Sequence, residues 1–131
     1  MPPIKFYAGQ TFLIEIPSPT TLHLFILILE PNPKSGQTII IPIDSRNLDN
    51  VSTVELKPGD HPFIKVQSFV TYSLARIVTT SELETLIRKG KAKEKDPISS
   101  EILGKIKEKI THSKGVKNDI REFYINETWL F

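Results

Sequence analysis

The chain has 131 residues, a formal net charge of +2, 39% hydrophobic and 24% charged residues, and no cysteine. That is the profile of one globular domain able to bury its own core, and it argues against disorder. The missing cysteine excludes disulfides, thiolate metal ligands and a thiol nucleophile, and so small a net charge is not by itself a nucleic-acid footprint. The opening Met1-Pro2-Pro3-Ile4-Lys5 lacks the charged-then-apolar pattern of a signal peptide. The longest apolar run, Leu24 to Leu29, is too short to span a bilayer. The expected location is the cytoplasm, with no membrane partner.

Strand signals alternate with turn signals through residue 78. Gln10 to Ile16 alternates with Phe12, Ile14 and Ile16 on one face and stops at Pro17-Ser18-Pro19. Thr21 to Leu29, Gln37 to Ile43 and Ser52 to Leu56 follow, the last closed by the turn Lys57-Pro58-Gly59-Asp60. Pro62 to Val66 and Phe69 to Val78 complete the series. Short strands punctuated by Pro and Gly predict a small antiparallel β-barrel or curled sheet, at least five strands before residue 79.

The period then changes. Ser81-Glu82-Leu83-Glu84 fits a capping box and predicts a helix through Arg88. Arg88 to Lys95 is a basic cluster, read either as a solvated linker between helices or as a track for a phosphate backbone. Ile98, Ile102, Ile106 and Ile110, four apart, predict an amphipathic helix over about 99–112 with an apolar face to bury. Asp119 to Tyr124 reads as a short third helix. The tail Trp129-Leu130-Phe131 ends on three large apolar residues, which either dock on their own domain or form an oligomer contact. The whole is one domain, 1–131, with a β-barrel over 1–78 and a helical part over 79–131.

No glycine-rich phosphate loop, His-Glu-x-x-His or calcium loop is present, and three histidines spaced at 23, 61 and 112 predict no metal site and no cofactor. The densest polar cluster is Gly59-Asp60-His61-Pro62-Phe63-Ile64-Lys65-Val66-Gln67-Ser68-Phe69-Val70-Thr71-Tyr72. If Pro62 to Gln67 is extended, His61, Phe63, Lys65 and Gln67 share one face. The alternative is that His61 caps a turn and Lys65 merely faces water. His23 interrupts a strand otherwise written for burial, as a hydrogen-bonded core residue or as one opening into a cleft. Ser45, in Asp44-Ser45-Arg46, either donates to a phosphate or closes a turn.

Four stretches resemble the MazF/PemK toxins of type II toxin–antitoxin systems. His23-Leu-Phe-Ile-Leu-Ile-Leu29 resembles that family's second strand, and Ile39-Ile-Ile-Pro-Ile-Asp-Ser45 its third. Ile98 to Ile110 is similar to its C-terminal helix, and the block Gly59 to Tyr72 looks like a divergent branch. The resemblance implies an SH3-like barrel followed by two or three helices, usually a homodimer, cleaving single-stranded RNA without metal. It also implies a cognate antitoxin as partner. Carried over, Ser45 matches the family's serine, Asp44 stands where a threonine belongs, and His23 lies near the place of an arginine. Lys65 and Gln67 fall where Arg-x-Asp is expected, so the acidic group is lost.

RNA cleavage through the 2′-hydroxyl needs a base, an acid and a cation on the phosphorane. His23 and His61 suit the first two and Lys65 the third, if the fold assembles them. Asp44, Ser45, Gln67, Ser68 and Tyr72 are the expected substrate contacts, with Phe25, Phe63 and Tyr72 as candidate stacking faces, although a core role suits both phenylalanines better. Three functions remain open, the first two being a metal-independent endoribonuclease and a non-catalytic barrel binding nucleic acid or a protein. A purely structural or regulatory role is the third.

Overall fold

The long β-branched and aliphatic runs bounded by Pro or Gly become the central strands, and the computed structural model describes residues 4–17 and 20–128. Strands β1 (Thr11–Pro17), β2 (Thr20–Leu27) and β3 (Gln37–Asp44) form the centre. Two short strands follow, β4 (Glu55–Leu56) and β5 (Ser68–Val70), then one 3-10 turn over Tyr72–Leu74 and β6 (Arg76–Thr79). Helix α1 (Thr80–Arg88), strand β7 (Ala92–Lys95), helix α2 (Ser100–Ile110) and helix α3 (Asn118–Thr128) complete the chain.

All pairing is antiparallel, in the order β4-β5-β3-β2-β1-β7. Strand β3 serves two ladders along one edge: Gln37 to Ile40 pair with β6, and Ile43 and Asp44 with β5. Six strands precede residue 80 and the helices follow, so the β-then-α order predicted from sequence is observed. The barrel is not closed: among the described residues no ladder joins β7 to β4 or β6.

The alternation of β3 explains the layering. Ile39, Ile41 and Ile43 face one core with Leu24, Ile26 and Ile28, covered by Ile106 and Ile110 of α2 and Ile120 of α3. Ile40 faces a second core with Phe12, Ile14, Phe25 and Leu27, covered by Leu83 of α1. A central strand buried on both faces carries no polar alternation, which is why Ile39-Ile40-Ile41 is unbroken. Each fully buried isoleucine contributes about 1.5–3 kcal/mol. The apolar stripe of α2 thus meets the sheet, and Tyr72 Oη donates to the Ile106 carbonyl at 2.8 Å, tying the 3-10 turn to the same helix.

Three local readings change. Pro62 to Val66 is not a strand but a turn, in which the amide of Ile64 donates to the carbonyl of His61 at 3.0 Å. The cap of α1 is Thr79, not Ser81: its hydroxyl accepts from the Glu82 amide at 3.1 Å, and the Glu82 carboxylate accepts from the Thr79 amide at 3.0 Å. Within the basic cluster, Ala92 to Lys95 is a strand pairing with β1, so this is neither a linker nor a purely helical region. Lysines along it suit a sheet edge, since they discourage pairing with another chain. The predicted turn at Lys57-Pro58-Gly59-Asp60 is present: Asp60 N donates to the Lys57 carbonyl and Gly59 takes φ +102, as a type II turn requires. The tail Trp129-Leu130-Phe131 lies outside the described residues. Among the described residues no helix is long and apolar enough to cross a membrane.

Candidate functional site

Strand register creates the site. With Phe25 opposite Pro42, two further steps along each strand bring His23 level with Asp44 at the end of the sheet. His23 Nε2 lies 3.3 Å from Asp44 Oδ2, and Nδ1 lies 3.4 Å from the Thr21 hydroxyl. The side chain of Asp44 is 9% exposed and that of His23 24% exposed. Burial works against charge on Asp44. Hydrogen bonds from the Arg46 amide (2.8 Å) and guanidinium (3.2 Å) and from His23 outweigh it and hold the carboxyl below its ordinary range. An ionised carboxylate only accepts, so Nε2 of a neutral His23 carries the proton and Nδ1 is left as the basic nitrogen.

This pair lines a cleft of about 250 Å³ whose other wall is the turn after His61. Ser45, Lys65 and Ser68 line it too. Lys65 is exposed, whereas Ser68 is buried and its hydroxyl donates to the Val66 carbonyl at 3.0 Å. Leu22, Phe63 and Val66 form an exposed apolar rim. Phe63, expected in the core from its sequence, is instead a surface group, while Phe25 is buried in the second core as expected.

The fold thus brings together His23, Asp44, Ser45, Lys65 and Ser68, and leaves out His61, Gln67 and Tyr72. His61 is 3% exposed. Its Nδ1 accepts from the Phe63 amide at 3.0 Å, and Nε2 lies 2.6 Å from the Asp96 carbonyl and 3.2 Å from the Thr11 hydroxyl. With Nδ1 accepting, Nε2 donates, and no ring nitrogen is left to take a substrate proton. The imidazole pins the turn carrying Phe63, Lys65 and Val66 against β1 and the segment after β7. The expected common face of His61, Phe63, Lys65 and Gln67 fails for the same reason: a turn has no two-residue alternation, and its buried side chains are His61 and Ile64, while Phe63, Lys65 and Gln67 are exposed. Gln67 points elsewhere, donating to Glu55. Tyr72 is fully buried, and burial pushes its phenol pKa up, so it offers no stacking face.

Arg46 and Thr21 are the neighbours that sequence reasoning did not assign to the site. For Arg46 a signal existed, since Asp-x-Arg at a strand end suits a carboxylate bonding two residues ahead. Among the described residues no three of His, Asp and Glu converge as a metal would require. No family model, no curated protein and no solved structure matches the chain.

Proposed function

We propose that the chain is a metal-independent endoribonuclease of the MazF/PemK toxin type, acting on single-stranded RNA in the cleft of His23, Asp44, Ser45 and Lys65. The observation that carries this reading is the His23–Asp44 pair: a carboxylate that sets the tautomer of an imidazole at the mouth of an open cleft, opposite a lysine. In this reading Nδ1 of His23 takes the proton of a 2′-hydroxyl as its oxygen attacks the adjacent phosphorus. Lys65 meets the negative charge building on the phosphorane. The bond from phosphorus to the 5′-oxygen breaks, water in the cleft protonates the departing oxygen, and a 2′,3′-cyclic phosphate is left. The exposed ring of Phe63 offers a base a face to stack on. The open, curled sheet then stands for an SH3-like barrel left unclosed between β4 and β7. The same reading carries a homodimer, a cytoplasmic setting and an antitoxin that covers the cleft.

The test is incubation of the protein with a long mixed-sequence RNA in EDTA, followed by mapping of the new ends. Discrete cuts bearing 5′-hydroxyl and cyclic phosphate ends are expected, and they should vanish in His23→Ala. A second reading, a binding module without catalysis, is favoured by the cleft holding one imidazole rather than two. RNA retention without cutting would select it, and neither binding nor cutting would remove both.

A further inference from the structure

A second cavity lies where the C-terminal end of α2 meets the loop before β4, and it shares no lining residue with the cleft. It measures about 450 Å³, within the range of small-ligand pockets. One wall is Lys109 of α2 with His112, Ser113 and Lys114 just past its end; the other is Asn50 and Ser52 with Val51. Every polar side chain in that lining is a hydrogen-bond donor, and no carboxylate is among them.

The helix end explains part of this. Cations near a C-terminus complement the helix dipole, so Lys109 needs no ligand to be favourable. Two features go beyond it. Lys114 and His112 lie past the last turn and still face the same space. The negative end of the helix is also covered: the Lys109 carbonyl accepts from the amides of Thr111, His112 and Ser113. Behind the pocket, Arg121 Nη2 donates to the Ser113 carbonyl at 3.1 Å, adding a permanent positive charge. Asp49, which approaches Gly115, is engaged by the amide and hydroxyl of Ser73. Lys109 Nζ lies 3.3 Å from Ser52 Oγ, so the ammonium already bridges the two walls. A neighbouring hollow shares Lys109 and His112 and adds Lys105, but there Glu55 and Glu108 return negative charge. The positive potential is therefore focused at the Lys109–Lys114 end.

We propose that this pocket binds a phosphoryl group, presented by a nucleotide or by the backbone of a nucleic-acid strand. Lys109 and Lys114 supply charge, and Asn50, Ser52, His112 and Ser113 supply neutral donors. The site is independent of the cleft and of the activity proposed there.

The chain has three histidines, and only His112 lies in this pocket, which makes its ring resonances a local probe. Inorganic phosphate, then uridine 5′-monophosphate, then a short single-stranded RNA are titrated by NMR at constant ionic strength. The His112 signals should move and saturate, while those of His61 stay in place and report an intact fold. Lys109→Ala and Lys114→Ala, at surface positions, should each weaken the effect about tenfold, as for loss of one charged hydrogen bond. A mononucleotide as tight as the strand assigns the pocket to free nucleotides; a strand that alone binds tightly assigns it to a backbone. No saturable movement of His112, or movement unchanged in the double variant, overturns the proposal. Movement of His23 alone also overturns it, while leaving the cleft reading standing.

Discussion

His23, on a strand, and His61, in a turn, belong to two regions of the molecule that treat an imidazole in opposite ways. At the end of β2 and β3, pairing places His23 beside a carboxylate that fixes its tautomer and leaves its other nitrogen toward a weak, long contact at an open cleft. In the turn after Asp60, His61 is enclosed, with both nitrogens committed to backbone and hydroxyl partners. The contrast teaches that burial and the closeness of the contacts, not residue type, separate an imidazole that faces a cleft from a structural fastener. A histidine whose nitrogens are both occupied contributes rigidity, here to the wall that carries Lys65.

Substitution should separate the two roles cleanly. The largest effect is expected for His23→Ala, which should lower RNA cleavage by about a hundredfold or more while leaving the urea midpoint nearly unchanged. Cleavage at full rate by this variant would break the comparison at its catalytic end. Next is His61→Ala, which strands the Phe63 amide and leaves the Asp96 carbonyl one donor short; it should cost about 1–3 kcal/mol in urea unfolding. The protein that remains folded should still cut. A stable His61→Ala protein with no cleavage would show that the buried histidine acts in chemistry.

Lys65→Ala should weaken RNA binding by about tenfold with little change in stability, since the side chain is exposed. The wild-type affinity should fall as salt rises, and the variant should show a shallower slope. The smallest effect at neutral pH is expected for the stability of Asp44→Asn, because its ion-pair partner Arg46 is exposed. Its pH dependence is the sharper readout. A carboxyl held below its ordinary 3.8 contributes stability that is present above that value and is lost as pH falls through the lowered folded value. Unfolding midpoints measured from neutral to acid pH should therefore converge for wild type and Asp44→Asn at the acid end.

Where local chemistry and tertiary packing agreed, the fold was legible. The run Gln37 to Ile43 predicts a strand, and β3 is one; that it is buried on both faces is set by the two cores it separates. The four-residue spacing of Ile98, Ile102, Ile106 and Ile110 predicts the helix and its buried face, because a 3.6-residue period leaves few alternatives. Strand β7 was illegible for the opposite reason: Ala92-Lys93-Glu94-Lys95 has no apolar periodicity, and an edge strand is held by backbone pairing with β1, which no side-chain pattern announces. The helix cap was ambiguous, since Thr79-x-x-Glu82 and Ser81-x-x-Glu84 satisfy the same rule. The end of β6 at Thr79 decided between them.

For the candidate site the division runs through individual residues. Sequence alone made His23 conspicuous, because a polar residue there interrupts a strand written for burial, and set Asp44 and Ser45 at the end of the third strand; Lys65, read on a strand, lies instead in a turn. Only the tertiary structure decided which of them meet. The register of β2 against β3 joins His23 to Asp44 across 21 residues of chain. The turn after Asp60 swings Lys65 to the cleft and His61 into the interior. Both outcomes depend on contacts between segments far apart in the chain, and a pattern of near neighbours carries no information about those contacts.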